Sequence, residues 1–151
     1  MQKIYPIVFG RFIFFFSLLI TSCHLLNNGN GRAREEILAV EKEFMEKVGE
    51  WGMKDAFVYF GDDSAVLLRN NRLIRGRMEI ESYYEQSNYC DIHLTWHPEY
   101  VDVSKSGDLA YSYGPFIFSA KDSTGAEIVT EGIFHTVWKK QSDNTWRFVY
   151  D

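Results

Sequence analysis

The sequence predicts an α+β domain in which a curved antiparallel sheet wraps around three N-terminal helices. Two observations carry this. Up to about residue 88, apolar residues recur at three- and four-residue steps, the period of an amphipathic helix. From residue 91 onward, long runs rich in aromatic and β-branched residues alternate with short polar turns. A hydrophobic content of 46%, with 17% aromatic residues, supplies enough apolar surface for one core, and 151 residues suit one domain.

Arg34 to Gly49 reads as the first helix, with Ile37, Val40, Phe44, Val48 and Trp51 on one stripe and Glu35, Glu36, Glu43 and Glu46 largely elsewhere. Gly49 and Gly52 punctuate its end. Met53 to Phe60 forms a short second helix that presents Ala56, Phe57 and Phe60. Ser64–Arg69 and Arg72–Arg75 flank Asn70-Asn71, the pattern of a tight hairpin. Gly76 opens a third helix that runs to about Asn88, with Ile80, Tyr83 and Tyr84 inward. Asp91–Ser104, Leu109–Lys121, Ala126–Lys140 and Trp146–Asp151 then read as strands. Gly114-Pro115 interrupts the second of these, and because proline cannot donate to a ladder, a bulge or bend is expected there.

The N-terminus reads as an address. Lys3 and Arg11 precede Phe12 to Ile20, an apolar run shorter than the roughly 20 residues that span a bilayer. Ile20-Thr21-Ser22-Cys23 resembles the lipobox of bacterial lipoproteins, which implies lipid attachment at Cys23 and a protein anchored to a membrane of the bacterial cell envelope. The expected division is a signal peptide over 1–22, a lipidated Cys23 with a flexible Asn- and Gly-rich tether over 23–33, and the folded domain over 34–151. Cleavage would remove Lys3 and Arg11, leaving 14 cations against 21 anions, a charge of −7 where the whole chain carries −5. Such a domain repels phosphate backbones, and no basic run opposes this, so nucleic acid is not an expected partner. With Cys23 lipidated, Cys90 has no cysteine to pair with and is expected as a small buried hydrophobe.

Further along, Tyr59-Phe60-Gly61-Asp62-Asp63-Ser64-Ala65-Val66 followed by Gly76 at a helix start resembles the front half of nuclear-transport-factor-2-like proteins. Trp96-His97-Pro98, the stretch Ser106 to Gly114 and the stretch Gly132 to Gln141 are similar to the SnoaL-like and ketosteroid-isomerase-like domains within that group. The resemblance spans nearly all of 34–151. It implies a cone whose wide end opens into an apolar pocket, often in a homodimer packed through the sheet. It leaves activity open, since the fold hosts isomerases, dehydratases, epoxide hydrolases, polyketide cyclases and non-catalytic binding domains. Ketosteroid isomerases use an Asp base with a Tyr and a protonated Asp in the oxyanion hole. The matched positions here are Leu68 for the base, Phe44 for the tyrosine and Phe134 for the acid, and none can move a proton. The resemblance therefore implies a pocket in which Phe44, Leu68, Tyr113 and Phe134 converge, with Trp96 at the rim, for a small apolar or aromatic molecule. A non-standard enzyme and a non-catalytic scaffold remain the alternatives.

The other polar candidates read as structural. Asp62 and Asp63 sit at a helix-to-strand turn, where Asp bonds its own backbone. His93 and His97 stand on a strand, where their spacing spans about 13 Å, too far to share one ion. Strand alternation puts Gly132, Phe134, Thr136 and Trp138 on one face and Glu131 and His135 on the other. Neither a metal nor a cofactor is implied. Tyr111 and Tyr113 alternate in phase, which leaves each open to a pocket-lining or a filling role.

Overall fold

The computed structural model describes residues 21–151; the expected signal segment, residues 1–20 of it, lies outside the described residues. Helix α1 spans Thr21–Trp51, α2 Met53–Phe60 and α3 Gly76–Glu85. The strands are β1 Gly61–Arg69, β2 Arg72–Arg75, β3 Cys90–Trp96, β4 Tyr100–Val103, β5 Leu109–Lys121, β6 Glu127–Lys140 and β7 Trp146–Tyr150. They form one curved, unclosed sheet in the order β2-β1-β7-β6-β5-β3, with β4 also paired to β5.

α1 begins well before Arg34, so the segment expected as a flexible tether is helical in its backbone. Ala33 and Ile37 are buried and Arg32 pairs with Glu36, so a nucleus already exists. Each residue added beyond it costs only its own propensity, about 1 kcal/mol for a glycine. At the other end α1 stops at Gly52, whose φ of 86° breaks the helix and lets α2 turn away. Along α1, Ile37, Phe44 and Val48 are buried as the periodicity predicts, whereas Trp51 lies half outside, under Lys47 and against Tyr59.

The sheet is mixed, which corrects the antiparallel expectation. β1 and β7 run parallel, with Gly61 opposite Phe148 and Val66 opposite Tyr150. Two strands so far apart in the chain leave no turn signal between them. A second correction concerns Gly114-Pro115. β5 and β6 stay in unbroken register from Leu109↔Lys139 to Lys121↔Glu127, so β5 carries no bulge. The break lies in its other neighbour: β3 pairs with Phe116–Lys121, β4 with Ala110–Tyr113, and the chain crosses between them at His97–Glu99. Pro115 directs its carbonyl to the His97 N–H at 3.4 Å, so its missing N–H faces that same gap. Gly114 is required there too, because a Cβ would lie 2.1 Å from the His97 carbonyl oxygen. Cys90, expected to be buried, is exposed at the start of β3, one residue before Asp91 at φ 50°.

The centre of the core is aromatic. Phe44 projects from α1 into Phe57, Phe60, Trp96, Trp138 and Phe148, with ring centroids 4.7–6.3 Å away. Gly114→Ala should destabilise the fold by about 1–3 kcal/mol, because backbone cannot retreat from the new methyl. Gly49→Ala, in open space on α1, should stabilise by about 0.5–1 kcal/mol. Urea unfolding of both variants checks the contrast; equal effects would contradict it.

Candidate functional site

Three features lie along the interior, from its middle to its mouth. The first was missed in the sequence. Glu41 stands one turn from Ile37 and from Phe44, on the apolar stripe of α1, and is 1% exposed. Its carboxyl accepts the indole N–H of Trp96 from β3 at 2.8 Å and of Trp138 from β6 at 2.8 Å, and it meets the Ser112 hydroxyl from β5. Among the described residues no cation pairs with it. Burial raises its pKa above the usual carboxylate range, partly opposed by hydrogen bonds from Ser112, Trp96 and Trp138. The readable signal was a single acidic residue on an otherwise apolar helix stripe.

The second feature pairs charges. Arg69, at the end of β1, bonds the Asp151 side chain and donates to its backbone oxygen at 3.2 Å, and its guanidinium lies over Phe57. Thr136 on β6 donates to the same carboxylate at 2.9 Å. Burial works against the Arg69 cation, but the Asp151 charge, its hydrogen bond and the Tyr84 phenol together outweigh it and keep the guanidinium ionised. Beside this pair sits Tyr84 of α3, against Phe57. Burial pushes its phenol well above the usual range. Among the described residues, its hydroxyl is the one buried side-chain polar atom without a well-formed hydrogen bond.

The third feature is a cleft of about 220 Å³ at the mouth, where α1 hands over to α2 and faces the end of α3 and β3. Trp51, Met53, Tyr84, Tyr89 and Ile92 supply most of its lining.

The five residues expected to form one pocket divide. Phe44, Trp96 and Phe134 cluster inside, with Trp96 5.1 Å from Phe44 and 6.5 Å from Phe134 between ring centroids. Leu68 and Tyr113 do not join them. Leu68 is 43% exposed because its neighbour Leu67 takes the inward position of β1. Tyr113 is 38% exposed on the outer face, where it stacks on Tyr100 at 5.2 Å, across from His135. Tyr111 shares that outer face, 6.0 Å from His135. Phe134, Thr136 and Trp138 do face inward, and Glu131 and His135 outward, as alternation predicts. Asp62 accepts the Ser64 N–H and hydroxyl at 2.9 and 2.6 Å, and Asp63 pairs with Arg77 at 2.7 Å, both local structural roles.

Glu41 generates a prediction with a definite sign. Its folded pKa is raised, so the stability it contributes is full below the unfolded value and is lost as pH rises through the folded one. Relative to Glu41→Gln, which does not titrate, the wild type should lose stability progressively as pH rises from the ordinary carboxylate range upward. Glu41→Leu, which leaves two indole N–H groups without this acceptor, should cost about 2–5 kcal/mol. Urea unfolding across that range checks both; parallel pH profiles for wild type and Glu41→Gln would contradict the first.

No protein-family model matches the sequence, and no curated protein does. Solved structures match over most of its length. A nuclear transport factor 2-like superfamily protein from Salmonella enterica superposes with a TM-score of 0.69 at 17% identity, covering 80% of this chain and 88% of that one. A ketosteroid isomerase-like protein from Erwinia carotovora gives 0.63 at 14%, covering 75% and 88%. The association domain of C. elegans CaMKII gives 0.61 at 18%, covering 82% and 96%. At these identities the likeness speaks for the backbone: the chain has the nuclear-transport-factor-2-like fold, three helices followed by a curved and unclosed sheet.

Proposed function

We propose that this chain is a small-ligand-binding module, held at the bacterial cell envelope by lipid on Cys23, that takes a single-ring, uncharged molecule in the cleft at the mouth of the cone. The observation that carries the ligand reading is that cleft, walled by Trp51, Met53, Tyr84, Tyr89 and Ile92. An apolar cavity of about 150 Å³ already holds a benzene, so about 220 Å³ suits one substituted ring. Uncharged ligands are favoured because the nearest charges are already matched: Arg69 by Asp151, and Lys54 by Glu85 and Asp55. An ion entering would lose its hydration without a free partner. The lipobox-like Ile20-Thr21-Ser22-Cys23 supports the anchor.

Calorimetric titration with small neutral aromatics and with matched carboxylates tests the site. Neutral rings should bind more tightly than their carboxylates, and Ile92→Trp, which fills the cleft, should abolish that binding while leaving thermal stability within a few degrees. Binding that is unchanged in Ile92→Trp would place the ligand elsewhere.

One observation favours a catalytic reading of the isomerase, dehydratase or cyclase kind: a carboxyl, Glu41, is held with a raised pKa inside the cone. Glu41 is 1% exposed and already bonded to Trp96, Ser112 and Trp138, and it lines neither cavity, so the binding reading is preferred.

The outer face of the sheet supports a homodimer. Ile117, Val129 and Ile133 stand exposed there, Ile133 at 68%, in line with Tyr113 and Leu109. These side chains flank Glu131; exposed apolar residues gathered on one face mark an interface, and some structural neighbours are association domains by name. Ile133→Asp should weaken the dimer at least about ten-fold in sedimentation equilibrium, the effect of a charge buried in an apolar contact. An unchanged oligomeric state would remove this face as the interface.

A further inference from the structure

The end of the cone opposite the mouth carries a larger groove, of about 660 Å³. It lies between the N-terminal half of α1, the turn joining β4 to β5 and the turn joining β6 to β7. Arg32, Glu36, Lys105, Ser106, Lys140 and Asn144 line it. Three cations and one carboxylate give it an excess of two positive charges in a chain of net −5. The carboxylate is already committed. Glu36 accepts Lys140 at 2.7 Å, Arg32 at 3.1 Å and the Trp146 indole at 3.0 Å, and these contacts, Lys140 first, hold it below the usual carboxylate range. Lys105 is in no ion pair among the described residues. Arg32 keeps most of its side chain in solvent.

The position of this groove relative to Cys23 gives it a meaning. The α1 backbone continues without interruption from the groove to Thr21. Cys23 therefore lies six residues from Gly29 on the groove wall, about 9 Å at the rise of an α-helix. That is about one Debye length at physiological salt.

We infer that this groove docks the phosphate headgroup of an anionic phospholipid, with Arg32 and Lys105 as the cations that meet it. The inference rests on the reading of Cys23 as the lipid anchor, which would bring the groove to the headgroup layer. Charge complementarity selects the occupant: an acidic protein held at an anionic surface meets it most favourably through a lining whose own charge is positive. The anchor gives affinity for any bilayer, and the groove adds a preference for anionic ones and fixes which end of the cone faces the lipid.

The test uses the full chain with its own N-terminus, reconstituted into nanodiscs with a rising fraction of phosphatidylglycerol in phosphatidylcholine. Amide hydrogen exchange is followed in Lys105–Gly107. Protection there should rise with phosphatidylglycerol. The fraction needed for half-protection should rise about five-fold in Lys105→Gln and again in Arg32→Gln, the equivalent of one cation each near an anionic surface. Lys121→Gln, at the far end of β5, should change nothing. Equal exchange in pure phosphatidylcholine and in mixed discs would overturn the inference, as would a response to phosphatidylglycerol that Lys105→Gln leaves intact. Equal protection by inorganic phosphate in phosphatidylcholine discs would also overturn it, by showing a free-anion site. The intact mass of the same preparation reports acyl chains on Cys23 separately, so loss of the anchor reading and loss of the headgroup preference are told apart.

Discussion

A single carboxyl on α1 gathers hydrogen-bond donors from three strands of the sheet, and the arrangement of the interior follows from it. Trp96, Ser112 and Trp138 come from β3, β5 and β6, and each directs its polar atom at Glu41. An indole is a bulky apolar body with one N–H that must be satisfied once buried. Without an acceptor between them, Trp96 would forfeit that bond and Trp138 would keep only a longer one, to the Ser112 hydroxyl at 3.3 Å. With Glu41 in place, both rings are fixed in orientation, and Phe44, nearly one turn further along α1, meets both. The helix is thereby clasped to the concave face at one depth and one rotation. The carboxyl gives up hydration in return, which is the source of its raised pKa.

That clasp also divides the molecule into two ends of different character. Toward the mouth the buried charges are matched internally, Asp151 accepting from Arg69 and Thr136, and the open surface is largely aromatic. Toward the start of α1 the balance is positive and the surface polar. The two ends lie about 30 Å apart along α1, from Asn30 to Trp51, a separation fixed by one rigid helix. Events at one end have no short electrostatic route to the other, since about 30 Å is several Debye lengths at physiological salt.

Much of the fold was legible. Ile37, Phe44 and Val48 revealed α1 because a 3.6-residue period leaves a stripe, and Asn70-Asn71 marked the β1–β2 hairpin because a two-residue turn needs both residues at positive φ, here 52° and 59°. The inward direction of Phe134 followed from strand alternation. What escaped was non-local or a matter of phase. The parallel pairing of β1 with β7 joins segments that share no turn. Leu68 was placed inward by family register, but Leu67 takes that position, and in a strand a one-residue difference reverses every side chain. Tyr113 failed for the same reason of phase, since its neighbours Ser112 and Gly114 are the buried pair. Glu41 was readable as an anomaly on an apolar stripe, but the three donors that explain it come from strands far along the chain.

The gap at Pro115 has a consequence beyond the local ladder. On that side of β5 the sheet ends in two short strands, β3 with seven residues and β4 with four, separated by the crossing at His97–Glu99. The other margin is β2, four residues long. A long, straight margin of unpaired N–H and C=O groups is a template on which a foreign strand can add, and from which fibres grow. Here neither margin offers such a template, although the two central strands, β5 and β6, run for thirteen and fourteen residues. The proline that leaves β5 one donor short therefore helps the domain to keep a large, aromatic-rich sheet in solution without recruiting its neighbours into aggregates.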